Sequence, residues 1–292
     1  MTGRIDRRRL LSLVGGLPFL PAGAAAAETK VAVIDWGLLE TVLAIGAVPA
    51  AATELVQFRK IAVEPTVPDG VTDLGLRGSP NFELLRIIEP DLILISGFYE
   101  YQRPSLERIA PVLSLPVYEA GKPPYPLAVA STLALGERLG RTTESGTYVD
   151  ETERLLRRAR DTLAPVAHRP FFVISLGDSR HFRAFGADAM AGDVLGRLGL
   201  DNAWTEETSY SAAAPVGIEA LARVPQACIV VIGPLPPEVR RGLAGNALWN
   251  ALPAVRERRA IFLDPFNHFG ALPSARRFAR LLVDGVHGLA HG

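Results

Sequence analysis

One short stretch of the sequence carries residue types that could form a nucleophilic site. Gly177-Asp178-Ser179 follows an apolar run, as the serine of a GDS-type esterase does, and Asp264 and His268 would supply an acid and a base. However, the motif lies mid-chain, the Asp-to-His spacing is one residue too long for that family, and no Gly-x-Ser-x-Gly sequence occurs. A turn between two strands explains the same residues. The turn is the preferred explanation, and a serine esterase using Ser179 and His268 is kept as the alternative from another functional class.

Histidine and cysteine are the other candidates for chemistry, as metal ligands. The chain has a single cysteine, Cys228, and no close His-x-His or Cys-His cluster among its histidines, which are His168, His181, His268, His287 and His291. Of these, His181 and His268 could converge across a cleft. We expect no metal ion held directly by protein side chains. A single cysteine cannot close an intramolecular disulfide, so stability must come from packing.

The first 27 residues have the organisation of an export signal. Arginines at 7–9 precede an apolar run at about 10–22, and alanines at 24–27 offer small residues for cleavage. Paired arginines ahead of two leucines indicate the twin-arginine route. The run is shorter than the roughly 20 apolar residues of a membrane-spanning helix, and the cysteine lies far from the cleavage site. We expect a soluble exported protein without a lipid anchor.

Charge and length narrow the possible classes further. Without residues 1–27 the chain has 27 basic and 30 acidic residues, a net charge of −3. This balance provides no basic surface for nucleic acid. The remaining chain, about 265 residues long, is close to the size at which one core divides into two domains, so we expect two lobes.

The order of secondary-structure patterns is typical of α/β proteins. Short apolar runs alternate with amphipathic helical patterns, and strands are predicted at residues 30–34, 92–95, 171–175, 227–232 and 260–263. Between them, apolar residues recur at helical spacing over residues 143–165. A helix of about 22 residues spans on the order of 30 Å, enough to connect two lobes. The sequence predicts an N-terminal lobe at 28–142, a connecting helix at 143–165 and a C-terminal lobe at 166–292.

Several sequence segments occur in the order found in one protein family. These segments are Glu40–Pro49, Pro80–Leu94, Leu195–Trp204, Gly217–Ala222 and Leu248–Val255. With them, nearly the whole chain after the export signal resembles the periplasmic binding proteins for iron-siderophores and vitamin B12. The resemblance implies a bilobal α/β periplasmic binding protein, with two α/β lobes joined by one long helix and a ligand held in the cleft between them.

Within this family the chain is most similar to the ferric hydroxamate-binding proteins of Gram-negative bacteria. Arg77 and Tyr99 match the arginine and the tyrosine at the binding site of that group. An iron(III) trihydroxamate is close to neutral, so one guanidinium and one phenol can dock its electron-rich oxygens. The resemblance implies that Arg77 and Tyr99 contact the chelate, and that four aromatic residues line the cleft: Trp36, Trp204, Tyr210 and Phe269.

Some positions depart from that group. Ile61, Ser211 and Asn267-His268 stand where further pocket aromatics occur, so the cleft is expected to be more polar. A citrate-type iron chelate, haem or cobalamin therefore remains an alternative ligand. For haem, Tyr99 would offer an axial ligand.

The resemblance also implies partners and a working cycle. A periplasmic protein with no catalytic activity and no cofactor would capture a ferric siderophore as a monomer. It would then deliver the ligand to an ABC permease of the inner membrane that is driven by a cytoplasmic ATPase. In this family acidic side chains on each lobe pair with permease arginines, which indicates Glu107 and Glu238. The single long helix implies small movement of the lobes.

Overall fold

The computed structural model describes residues 29–206, 208 and 215–290, with side chains described up to residue 288. The export signal predicted at residues 1–27 lies outside this part of the chain, as do Tyr210, Ser211 and His291. Within the described residues, no helix combines the length and the apolar character that crossing a membrane requires.

The amino-terminal lobe alternates short strands with helices. In chain order its elements are β1 (Val31–Val33), α1 (Trp36–Ala44), β2 (Ala51–Ala52), α2 (Leu55–Ile61), β3 (Thr72–Asp73), α3 (Phe82–Ile88), β4 (Leu92–Ile95), a 3₁₀ helix (Gly97–Gln102), α4 (Arg103–Leu106), β5 (Val112–Ser114) and α5 (Pro124–Arg138). The strands pair in parallel in the order β3-β2-β1-β4-β5. The runs predicted at residues 30–34 and 92–95 are β1, at the centre of this sheet, and β4 beside it.

A single long helix, α6 (Thr142–Leu163), connects the two lobes. It begins one residue before the predicted range of 143–165 and ends two residues before its end, because Ala164–Val166 tightens into a 3₁₀ turn that contains Pro165. Gly136 of α5 lies so close to Ser145 of α6 that any side chain at position 136 would clash. The two helices therefore pack closely at the point where α6 begins.

The carboxyl-terminal lobe contains a mixed sheet. Its elements are β6 (Phe171–Leu176), β7 (His181–Ala184), α7 (Met190–Arg197), β8 (Val216–Gly217), a 3₁₀ helix (Ile218–Arg223), β9 (Cys228–Ile232), α8 (Pro237–Ala244), α9 (Ala247–Ala251), α10 (Pro253–Arg256), β10 (Ala260–Leu263) and α11 (Leu272–Ala290). The sheet order is β10-β9-β6-β7-β8, where β10, β9 and β6 are parallel and β7 is antiparallel to both of its neighbours. The predicted runs in this half are β6, β9 and β10.

The two sheets bury one face each in the same central core. Alternate residues of a strand point to opposite faces of its sheet. Val33 of β1 and Val173 of β6 belong to one continuous buried cluster, which also contains residues of α1, α5, α6, α7 and α11. Ile93 of β4 and Ile174 of β6 point the other way, into two separate outer clusters. The lobes are therefore joined by packed side chains as well as by α6.

Buried polar contacts reinforce this junction at the amino-terminal end of α11. Glu40 of α1 is fully buried, and the hydroxyl of Ser274 lies 2.9 Å from both of its carboxyl oxygens. The main-chain N–H of Ala271 donates to Glu40 as well, at 3.3 Å. Burial raises the pKa of Glu40 to about 8, although the hydrogen bonds to its carboxyl group favour ionisation.

Three further polar contacts cross between the lobes. The hydroxyl of Tyr118, just before α5, donates to the carbonyl of Gly270 at 2.9 Å. Arg277 of α11 donates to Glu64 of the amino-terminal lobe at 2.6 Å, and Arg280 pairs with the same carboxylate. The beginning of α11 is therefore held by three separate parts of the other lobe.

We expect Glu40→Gln to change how stability depends on pH. The folded protein holds a proton on Glu40 up to about pH 8, whereas the unfolded chain releases it near pH 4.5. The parent therefore loses stability as pH rises between these values, by at most about 1.4 kcal/mol per pH unit, and the neutral glutamine removes this loss. Urea unfolding at several pH values from 5 to about 8 measures the effect.

Glu83→Gln is the matched control for this experiment. Glu83 lies on α3 with a side chain that is 85% exposed, so its substitution should leave the shape of the pH curve unchanged. Parallel curves for the parent and Glu40→Gln would contradict the assignment of a protonated Glu40.

Candidate ligand-binding site

A cleft of about 480 Å³ opens between the lobes. The described residues that line it are Asp35, Trp36, Glu54, Arg77, Gly78, Phe98, Tyr99 and Phe269. Each of them lies in the segment after the carboxyl end of β1, β2, β3, β4 or β10. In parallel α/β sheets these ends meet at one edge, where the following loops form the ligand site. Of the six predicted ligand-binding residues, the structure brings together Arg77, Tyr99, Trp36 and Phe269.

Arg77 is held by a carboxylate and an aromatic ring. Its Nε lies 2.8 Å from an oxygen of Glu54, and its main-chain N–H donates to the other oxygen at 3.1 Å. Its guanidinium carbon lies 3.9 Å from the centre of the Trp36 ring, a cation–π arrangement. Among the described residues, the two terminal nitrogens of Arg77 have no hydrogen-bond acceptor. They are therefore free to donate to a ligand.

Trp36 forms the base on which Arg77 rests. Its side chain is 4% exposed, its indole N–H donates to the carbonyl of Thr53 at 3.0 Å, and its ring meets Phe58 edge to face. These contacts are those of a core tryptophan, yet one face of the ring lines the cleft. Trp36 therefore serves both packing and the site, since it fixes the plane of the Arg77 guanidinium.

Tyr99 offers the second hydrogen-bonding group of the cleft. Burial, with the nearby Asp35 carboxyl, raises the pKa of Tyr99 to about 12, so the phenol keeps its proton at neutral pH. Phe98 and Phe269 also line the cleft, and they are 41% and 38% exposed. Phe98 was not predicted, although its position next to Tyr99 in the loop after β4 was the available signal.

Two acidic residues of the cleft were also missed from the sequence. Asp35 caps α1: one carboxyl oxygen accepts from the N–H of Leu38 at 3.0 Å, and the other accepts from the Ser96 hydroxyl at 2.7 Å. Burial raises the pKa of Asp35, against the effect of these bonds. Glu54 is the partner of Arg77 described above. An isolated loop carboxylate gives no sequence signal for such a role, because most acidic residues lie on the surface.

The structure does not bring Trp204 to the cleft, which corrects the expectation for this residue. Trp204 is 7% exposed and packs edge to face on Phe182, with ring centres 5.9 Å apart, in the outer core of the carboxyl-terminal lobe. Tyr210, the remaining predicted aromatic, lies outside the described residues.

The Gly-Asp-Ser motif forms a turn between β6 and β7. The Asp178 carboxylate accepts hydrogen bonds from the main-chain N–H groups of Arg180 and His181, and it lies 3.0 Å from His181 Nδ1. The carbonyl of Ser179 accepts from the side chain of Asn246. Asp178 thus closes the turn with its side chain, which is the structural explanation of the motif.

His268 lies in a different environment from His181. Its ring packs against Phe269 and Phe185, with ring centres 4.5 and 5.4 Å apart. Burial, with a smaller effect of Arg77, lowers the pKa of His268 to about 4, so the ring is neutral at neutral pH. In the part of the chain that the structure describes, no group of three or more His, Cys, Asp or Glu residues is arranged to hold a metal ion.

Comparison with known proteins decides the family. The sequence model of the periplasmic binding protein family matches residues 31–266, most of the chain. The chain belongs to the periplasmic binding protein family. Its members bind substrates and are not enzymes, so the esterase alternative that used Ser179 and His268 is excluded. The two-lobed α/β architecture predicted from the sequence is confirmed.

Individual relatives are similar over most of their length. The chain is 30% identical over 291 residues, 98% of both chains, to the iron(3+)-hydroxamate-binding protein FhuD of Escherichia coli (strain K12). It is 20% identical over 263 residues to the Fe(3+)-citrate-binding protein YfmC of Bacillus subtilis (strain 168), which covers 88% of this chain and 81% of that one. The Fe3+-Desferal-bound siderophore-binding protein FhuD from Vibrio cholerae has the same fold, with a TM-score of 0.83 at 24% identity, over 90% of this chain and 99% of that one.

Substitutions of Trp36 test its structural role in the site. Trp36→Ala should lower the free energy of unfolding by about 3 to 5 kcal/mol, since it leaves a cavity beside Phe58. Trp36→Phe keeps an aromatic face but loses the bond to Thr53, a cost of about 1 kcal/mol. Urea unfolding measures both values, with Val56→Ala on the exposed side of α2 as the control. Equal effects of Trp36→Ala and the control would contradict a packed base beneath Arg77.

Proposed function

We propose that this protein is the substrate-binding component of an ABC importer for ferric siderophores, and that hydroxamate-type chelates are its preferred ligands. The observation that carries the proposal is the position of Arg77, which is stacked on Trp36 and presents free guanidinium nitrogens to the cleft near Tyr99. The similarity to the iron(3+)-hydroxamate-binding protein of Escherichia coli supports the same ligand class.

The chemistry of the cleft suits an iron(III) trihydroxamate. The complex presents electron-rich hydroxamate oxygens around a centre that is close to neutral, and Arg77 and Tyr99 supply N–H and O–H donors for them. The exposed rings of Phe98 and Phe269 would cover the apolar spacers between hydroxamates. The cleft volume lies within the range usual for small-molecule sites.

The other ligands fit less well. The raised pKa of Tyr99 disfavours the phenolate form in which a tyrosine binds haem iron. A citrate-type chelate carries negative charge, whereas Arg77 is already paired with Glu54. Neutral iron chelates therefore match the described residues better than anionic ones.

Delivery to a permease completes the proposed function. Export by the twin-arginine-type signal at residues 1–27 would place the protein in the periplasm, without a lipid anchor and as a monomer. Glu107 follows α4 of one lobe, where it accepts from Arg103 at 3.1 Å, and Glu238 is exposed in the first turn of α8 of the other lobe. We propose that these two carboxylates meet arginines of an inner-membrane permease, which a cytoplasmic ATPase drives.

Ligand titration tests the proposed function directly. Purified protein lacking residues 1–27 is titrated with ferrichrome, ferrioxamine, ferric citrate, haem and cobalamin while tryptophan emission is followed. We expect saturable quenching by the two ferric hydroxamates, because Trp36 lies at the cleft whereas Trp204 and Trp249 are buried elsewhere. In Trp36→Phe most of this quenching should disappear. Saturable binding of ferric citrate, haem or cobalamin without binding of the two hydroxamates would contradict the assignment of a hydroxamate ligand.

Arg77→Ala tests the assignment of the chelate contact. Loss of charge-assisted hydrogen bonds should weaken binding of ferric hydroxamates by about 10- to 100-fold. Arg86→Ala removes an arginine from α3, where it pairs with Glu83 away from the cleft, and should leave affinity unchanged. If Arg77→Ala binds as tightly as the parent, Arg77 does not contact the chelate.

A further inference from the structure

The described charged residues of the cleft carry no net positive charge. Among the described lining residues, Asp35, Glu54 and Arg77 carry ionisable groups that determine this balance. Arg77 and Glu54 cancel each other, and Asp35 contributes zero or one negative charge. Neighbouring His268 is neutral, since burial lowers its pKa to about 4. Residues 207 and 209–214, outside the described part, include no lysine or arginine in the sequence.

Glu54 is placed for this pairing by the backbone around it. It follows β2 with a left-handed backbone conformation, φ 51°, which few residues other than glycine adopt. Its main-chain N–H donates to the carbonyl of Gly75 at 2.8 Å, which joins the loop after β2 to the loop after β3. Its carboxylate then meets both the side chain and the main chain of Arg77. The Glu54–Arg77 pair is therefore held in place by the loops that form the cleft, and both side chains are less than one-third exposed.

We propose that Glu54 sets the charge selectivity of the cleft: by offsetting the charge of Arg77, it removes the preference for anionic ferric chelates that an unpaired arginine would give. The inference rests on the proposed function and names the subclass of ligand. Glu54 offsets the charge of Arg77 but occupies only its Nε and main-chain N–H. The terminal nitrogens still give directional hydrogen bonds to hydroxamate oxygens, while the long-range attraction for an anion is removed.

Three ferric complexes that share one chelating group test this proposal. Ferric desferrioxamine B carries a free ammonium and a charge of about +1, its N-acetyl derivative is neutral, and its N-succinyl derivative is anionic. Titrations of the parent at low salt should show no preference for the anionic complex over the neutral and cationic ones. At about 1 M salt, where the Debye length is roughly 3 Å, any difference between the three complexes should shrink.

Glu54→Gln removes the charge but keeps the length of the side chain and an oxygen that accepts from Arg77. In this variant we expect the anionic derivative to gain on the order of threefold in affinity relative to the cationic one. Arg77→Gln leaves the Glu54 carboxylate without its cationic partner and should shift the ratios toward the cationic complex. Because each preference is a ratio measured within one protein sample, a partly unfolded fraction cancels.

Glu83→Gln serves as the matched control, since it removes the same charge at an exposed site on α3 and should leave the ratios as in the parent. A preference of the parent for the anionic complex at low salt, or unchanged ratios in Glu54→Gln, would overturn the charge-selectivity proposal while ferric hydroxamate binding stands. Failure of all three complexes to bind would overturn the proposed function together with this inference.

Discussion

The apolar core shared by the two sheets is the constraint on which the rest of the structure depends. Each sheet turns one face toward the same central cluster, so the sheets cannot change their relative orientation without exposing buried side chains to water. Because of this packing, the carboxyl ends of β1 to β4 and of β10 lie beside one cleft. The position of Arg77 relative to Phe269 is therefore set by core packing, although both residues lie in loops.

The cleft provides hydrogen-bond donors without a net positive charge. Arg77 is fixed on one face by Trp36 and along its length by Glu54, so little of its side-chain freedom remains to be lost on binding. Its terminal nitrogens stay available, and Tyr99 keeps its proton because its pKa is raised. A ligand is thus met by donors in a fixed geometry without an excess of positive charge, which favours the oxygens of a neutral chelate.

The strength of the local pattern decides which parts of this arrangement the sequence predicts. β4 and β10 are apolar runs and α6 has a long helical period, so each was found nearly at its observed limits. β2 and β3 are pairs of residues, Ala51–Ala52 and Thr72–Asp73, too short to show any period. They nevertheless carry the loops of Glu54 and Arg77. The sequence does not decide the location of Trp204, because a tryptophan ring suits a hydrophobic core as well as a ligand pocket. Only its packing on Phe182 distinguishes the two locations.

The contacts around α11 indicate that the cleft is already formed before a ligand binds. The segment that presents Phe269 continues into Gly270 and Ala271, and these residues accept from Tyr118 and donate to Glu40, both of the amino-terminal lobe. One wall of the cleft is therefore bonded to the opposite lobe before any ligand arrives. Buried polar contacts of this kind add little net stability, but a large opening would leave a buried carboxyl group without its partners. Discrimination between ligands must then come from the shape and charge already present in the cleft, rather than from closure around the ligand.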